Sequence, residues 1–177
     1  MPNPLPIPSS VREIADFLAG IPYAQRVRCC LAAAELALPV WEMGLHDQDL
    51  RYRDSVVGMG HVADRTLPGQ ALAYVRYCYE AGRFGRDEGI STAYAEPIAA
   101  LQDDGWSLPE PRLLAYYAAF NAYEMSWKPL RAGANQGAVA VDQAISALAL
   151  TGGDATPEAK AALFARWWRR CVPGQTT

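Results

Sequence analysis

Residues 23–42 read YAQRVRCCLAAAELALPVWE, and their spacing decides the fold. Tyr23, Val27, Cys30, Leu31, Ala34, Leu38 and Trp41 recur at steps of three and four, the spacing that lines one face of an α-helix. Arg28, Glu35 and Glu42 fall seven apart on another face. Pro22 suits the first helical turn, where a missing N–H leaves nothing unpaired. Pro39 cannot donate to the Glu35 carbonyl, so a kink or an end is expected there, with Gly44 closing the helix.

The same period extends to both sides. Upstream, Ser10-Val11-Arg12-Glu13 has the S-x-x-E form of a capping box, followed by Val11, Ile14, Phe17 and Leu18 on one face and by Gly20 as a stop. The alternating prolines of MPNPLPIPSS predict an extended lead-in over residues 1–8. Downstream, a third helix is expected from about Asp49 to Asp64, with Tyr52, Val56, Met59 and Ala63 inward. Gly58 and Gly60 would weaken it by about 1 kcal/mol each relative to alanine, so close approach of a neighbouring helix is expected there. Pro68 opens a fourth helix with Leu72, Val75, Cys78 and Tyr79 inward and Gly85 at its end. Arg76, Glu80 and Arg83 can pair on its wet side.

Residues 91–104 read as a fifth helix interrupted by Pro97, with Tyr94, Ile98 and Leu101 toward the core. Ser107-Leu108-Pro109-Glu110 repeats the capping signature. It precedes the most aromatic helix, marked by Leu113, Tyr116, Tyr117, Phe120, Tyr123 and Trp127 and stopped by Pro129. Ala138, Val141, Ile145 and Leu148 mark a seventh helix that Gly152-Gly153 ends. Thr156-Pro157 caps an eighth carrying Leu163, Phe164, Trp167, Trp168 and Cys171, before a loose tail over 173–177. No alternating strand pattern stands out. The sequence therefore predicts one all-α domain over 1–177, a bundle of about eight helices without significant sheet.

Composition narrows the function classes. The chain has 177 residues, 51% of them apolar and 20% charged, which suits a packed core and argues against disorder. A net charge of −3 is too small to steer strongly toward nucleic acid or an anionic membrane. The longest apolar run, residues 29–41, is too short to span a bilayer. The N-terminal residues lack the basic and apolar regions of a signal peptide, so a cytoplasmic location is expected. Cys29, Cys30, Cys78 and Cys171 form no C-x-x-C pair. Buried free thiols are expected, with a redox switch at Cys29-Cys30 as the lesser alternative.

Chemistry-bearing residues concentrate in LHDQDLRYRD, residues 45–54. His46, Asp47 and Asp49 could supply metal ligands, completed by Asp54, His61 or Asp64. Yet no H-E-x-x-H spacing is present. The simpler expectation is that Asp47 or Asp49 caps the third helix, with Arg51, Arg53 and Asp54 solvated or paired. No nucleophile elbow, phosphate loop or dinucleotide fingerprint occurs. Trp167-Trp168-Arg169-Arg170 could stack on bases, but its spacing fits an amphipathic final helix better. Glu124 lies among aromatics, where it is a tuned acid, a residue at the edge of the stripe, or the acceptor of a hydrogen bond from a tyrosine or arginine. No catalytic residue, metal ligand set or cofactor is assigned.

The segment CCLAAAELALPVWE, residues 29–42, followed by the aspartate-rich joint, resembles a group of predicted immunity proteins encoded beside bacterial polymorphic toxins. In that group an alanine-rich helix of the form A-E-x-x-L-P-x-[FW]-E precedes an acidic, arginine-containing loop. The match is clearest over residues 28–54; here no proline follows the loop arginines. The resemblance implies an all-α protein that binds and neutralises a cognate toxin without chemistry of its own. On that basis Asp47, Asp49, Arg51, Arg53 and Asp54 are the expected contact residues. Two alternatives stand beside it. One is a helical-bundle enzyme using His46, His61, Asp49 and Asp64 on a metal, or Glu124 with a tyrosine. The other is a helical module with an aromatic ligand pocket.

Overall fold

A computed structural model describes residues 8, 10–54, 56–128 and 130–171, with the side chain of Leu130 excepted. Most of the proline-rich lead-in, Pro129 and the tail over 173–177 lie outside them. Among the described residues there are seven helices: α1 (Val11–Gly20), α2 (Tyr23–Glu42), α3 (Leu67–Ala81), α4 (Glu88–Gln102), α5 (Glu110–Met125), α6 (Leu130–Thr151) and α7 (Pro157–Cys171). Between α2 and α3 lie a 3-10 turn (Asp47–Leu50) and two short strands, β1 (Arg51–Arg53) and β2 (Gly60–Val62). The chain is all-α apart from this small antiparallel pair.

Alanine sets the spacing at the centre. α2 buries Ala33, Ala34 and Ala37, α5 buries Ala115, Ala118, Ala119 and Ala122, and α6 buries Ala134, Ala138, Ala140, Ala144 and Ala147. Such small side chains let α2, α5 and α6 pack closely on one another. At Gly137 of α6 there is no room even for a methyl group: a Cβ would lie 2.6 Å from Cys30 Sγ and 3.2 Å from both Leu18 and Met125. α1 covers α6, α3 packs on α2 and α5, and α7 packs on α2 and α6. The buried Arg26 reaches the end of α1, its Nε donating to the Leu18 carbonyl at 2.8 Å. There a cation meets unpaired helix carbonyls.

Large aromatics fill the space that alanine leaves at one end. Trp41, Trp106, Tyr116 and Tyr94 are all buried. Trp41 lies 4.9 Å from Tyr116, Trp106 5.3 Å from Tyr116, and Tyr94 5.4 Å from Tyr116, ring centre to ring centre. Cys29, Cys30, Cys78 and Cys171 are buried and free, as their apolar settings suggested. Trp167, Trp168 and Cys171 face inward and Arg169 and Arg170 outward, so α7 is the amphipathic closing helix.

Several boundaries differ from expectation. α2 does not end at Pro39 but continues to Glu42, just before Gly44 as expected, and α4 runs through Pro97 to Gln102. Packing of the flanking turns outweighs the cost of about 3 kcal/mol for an interior proline. α3 stops at Gly82, which takes the left-handed conformation (φ 62°), rather than at Gly85. α4 starts at Glu88 because Asp87 accepts from the Ile90 N–H at 2.9 Å. α5 begins after Pro109, so Ser107 does not cap it. Ser10 does cap α1, accepting from the Glu13 N–H at 3.2 Å.

The expected helix from Asp49 to Asp64 does not form. Tyr52 and Ala63 are buried as expected, but Val56 and Met59 are exposed. Gly58 takes a left-handed turn conformation (φ 67°), and no helix approaches Gly58 or Gly60. Asp54 captures the backbone N–H groups that a helix would have used. It accepts from Val56 at 3.0 Å, Val57 at 2.6 Å and Met59 at 3.1 Å. Such local side-chain bonds favour turns over helix. β-Branched Val56, Val57 and Val62 add to the preference for extended backbone.

Candidate interaction surface

The hairpin is fastened at its root. The register pairs Arg51 with Val62, Tyr52 with His61 and Arg53 with Gly60. Inward, the Tyr52 ring stacks on His61 at 5.4 Å and meets Trp106 at 5.6 Å, which joins the hairpin to the aromatic core. The Arg53 N–H donates to the Gly105 carbonyl at 2.9 Å, and a Cβ on Gly105 would collide with the Arg53 carbonyl. One edge of the pair is therefore seated on the loop after α4.

Two arginines outside the pair hold the preceding joint. Arg65 donates to the Leu45 carbonyl and to Asp47, each at 2.8 Å. Arg112 of α5 donates to the Met43 carbonyl at 2.7 Å and to Asp49 at 3.1 Å. Asp49 also accepts from the His46 N–H at 2.9 Å, closing the 3-10 turn. That hydrogen bond, with Arg112 behind it, holds the Asp49 carboxyl below the usual range. Trp106 Nε1 donates to the Asp49 carbonyl at 2.8 Å.

Asp54, His61 and Glu96 converge beside the hairpin. His61 Nε2 lies 3.1 Å from Asp54 Oδ2 and 3.2 Å from Glu96 Oε1. The Tyr52 hydroxyl shares a hydrogen bond with Glu96; burial first and that carboxylate second push the Tyr52 phenol up to about 12. The Asp54 carboxyl is lowered, chiefly by the Val57 N–H and then by His61 and the other turn amides. Among the described residues this is the one group of three such side chains close enough to share a cation. His46, Asp47, Asp49 and Asp64 do not join it. Asp64 instead accepts from Thr66 at the start of α3, at 2.8 Å from its N–H. Asp54 already accepts from three amides and His61, so the group reads first as a clamp tying the hairpin to α4. Glu96 was missed in the sequence because it lies 35 positions from His61; no local spacing links them.

The tip of the hairpin is different in kind. Val56 is 89% exposed, Val57 69% and Met59 61% at the turn, and Val62, paired with Arg51 at the root, is 66% exposed. Arg51 and Arg53 are exposed beside it. Of the expected contact residues, Asp49 and Asp54 are bonded into the fold, Asp47 pairs with Arg65 with its side chain 91% exposed, and Arg51 and Arg53 face solvent. Glu124 pairs with Lys128 at 2.6 Å, a lysine rather than the tyrosine or arginine considered.

What the fold and the site define together is an all-α scaffold that holds out a braced, apolar-tipped hairpin. No family model, curated protein or solved structure matches the chain. No helix among the described residues is long and apolar enough to cross a membrane.

Proposed function

We propose that this chain is a binding protein of the immunity kind, which neutralises a cognate bacterial toxin by inserting the hairpin tip into the toxin's functional cleft. The observation that carries this reading is the exposure of Val56, Val57, Met59 and Val62 on one braced hairpin. Isolated surface apolar residues need no explanation, but several on one hairpin fastened at its root fit a recognition site. Arg51 and Arg53 beside it favour a cleft lined by acidic groups, raising the association rate and rejecting partners of the wrong charge. The resemblance over residues 28–54 supplies the partner class.

The test couples toxicity to binding. The protein encoded beside this gene is expressed with and without the chain, and its affinity is measured by titration. Growth protection and a tight complex are expected. Val57→Asp with Met59→Asp should weaken binding about a hundredfold, the scale of losing a central contact cluster, while the melting temperature holds. A non-toxic neighbour, or full affinity in the double variant, would remove this reading.

A metal-dependent enzyme is a second reading, favoured by one observation: the convergence of Asp54, His61 and Glu96. Elemental analysis after dialysis separates the two. A stoichiometric transition metal lost in His61→Ala would support the enzyme.

A further inference from the structure

A second feature lies on another face. Arg28 of α2, Arg76 of α3 and Arg169 and Arg170 of α7 line one open cleft of about 350 Å³, with Leu31 and Tyr79 among its walls. Glu35, the one acid lining it, pairs with Arg76. Arg28, Arg169 and Arg170 have no ion-pair partner among the described residues. Four guanidinium groups thus face one carboxylate, in a chain whose overall charge is −3.

The cluster is built rather than incidental. Trp167 Nε1 donates to the Cys29 carbonyl at 2.9 Å, and Gln25 Nε2 donates to the Cys171 carbonyl at 3.5 Å. These bonds seat the last turn of α7 against the turn of α2 that carries Arg28. The helix dipole accounts for Arg169 and Arg170 at the end of α7. It does not account for Arg28 and Arg76, which stand inside α2 and α3, away from their C-terminal turns.

We propose that this cleft binds a small organic phosphate. Guanidinium forks match phosphate oxygens two at a time, and Arg28 with Arg169 and Arg170 would hold the anionic end. Leu31 and Tyr79 would meet the apolar or ring portion. The volume lies near the lower end of the range for small-molecule sites, about 300–1,000 Å³. An extended nucleic acid is disfavoured, because the chain as a whole is acidic, with a net charge of −3.

Calorimetric titration of the full chain with ATP as the probe tests this, with adenosine and sulfate as controls. One ATP per chain is expected, with no binding of adenosine. Arg28→Ala and Arg170→Ala should each weaken ATP about tenfold, the scale of one charge-assisted hydrogen bond. Arg28→Lys should recover part of that loss. Arg12→Ala and Arg131→Ala, on helices that do not line the cleft, should change nothing. Amide shifts caused by ATP in the unaltered chain should centre on Arg28 and Tyr79, which needs no variant to fold. Absence of ATP binding, unchanged affinity in the double alanine variant, full displacement by sulfate at equal ionic strength, or tighter binding of single-stranded RNA would each overturn the proposal.

Discussion

Asp54 shows how one side chain redirects a segment. Its carboxylate accepts from three turn amides and from His61, and these bonds lower its pKa. The folded value lies below the ordinary 3.8, so the stabilisation is present above that pH and is lost as pH falls through the folded value. The prediction is that protection of the Val56, Val57 and Met59 amides, relative to their intrinsic exchange rates, falls below about pH 4. Asp54→Asn should reproduce the loss of protection at neutral pH, read by nuclear magnetic resonance. Gly137 makes the opposite kind of demand, for space. Gly137→Ala should destabilise the chain by about 1–3 kcal/mol, measured by urea denaturation, because Cys30, Leu18 and Met125 must all give way. Asp54 was conspicuous in the sequence but its role was not, since an aspartate before two valines reads equally as a solvated helical residue. Gly137 drew no notice, because a glycine's neighbours across a helix interface leave no mark on its own sequence.

At the scale of elements, periodicity served the helices and misled at the hairpin. α2, α5 and α7 show their buried faces in the spacing of Trp41, Tyr116 and Trp167, because helical packing repeats over many turns. β1 and β2 have three residues each, with the middle one buried in β1 and half-buried in β2, and a pattern that short also fits a helix. Imposing the longer period on residues 49–64 turned Val56 and Met59 inward and concealed the surface now proposed for recognition. The bracing of that hairpin gives an element-scale prediction. Burial and then Glu96 raise the Tyr52 phenol, so Glu96→Gln should lower its titration from about 12 without restoring the ordinary 10.0. The neutral phenol is the form the fold favours. The hairpin's alkaline stability is therefore present below pH 10 and lost as pH rises toward about 12. Following the Tyr52 ring carbons against pH checks both statements; no change in Glu96→Gln would detach Glu96 from the hairpin.

Taken whole, the molecule divides its labour by side-chain size. Alanine brings α2, α5 and α6 together, aromatics fill the end nearest the joint, and the last of those aromatics, Tyr52, carries the order of the core out to the hairpin. The root of the hairpin is thus tied to the interior, and Asp49 and Asp54 are bonded within the fold beside it. The central claim is that residues 51–62 form the recognition surface of this scaffold. Hydrogen–deuterium exchange of the chain, alone and saturated with the proposed toxin, tests it most directly. The prediction is slowed exchange over residues 51–62 with the exposed faces of α6 and α7 unchanged. Protection confined to those helices, with the hairpin exchanging as in the free chain, would contradict it.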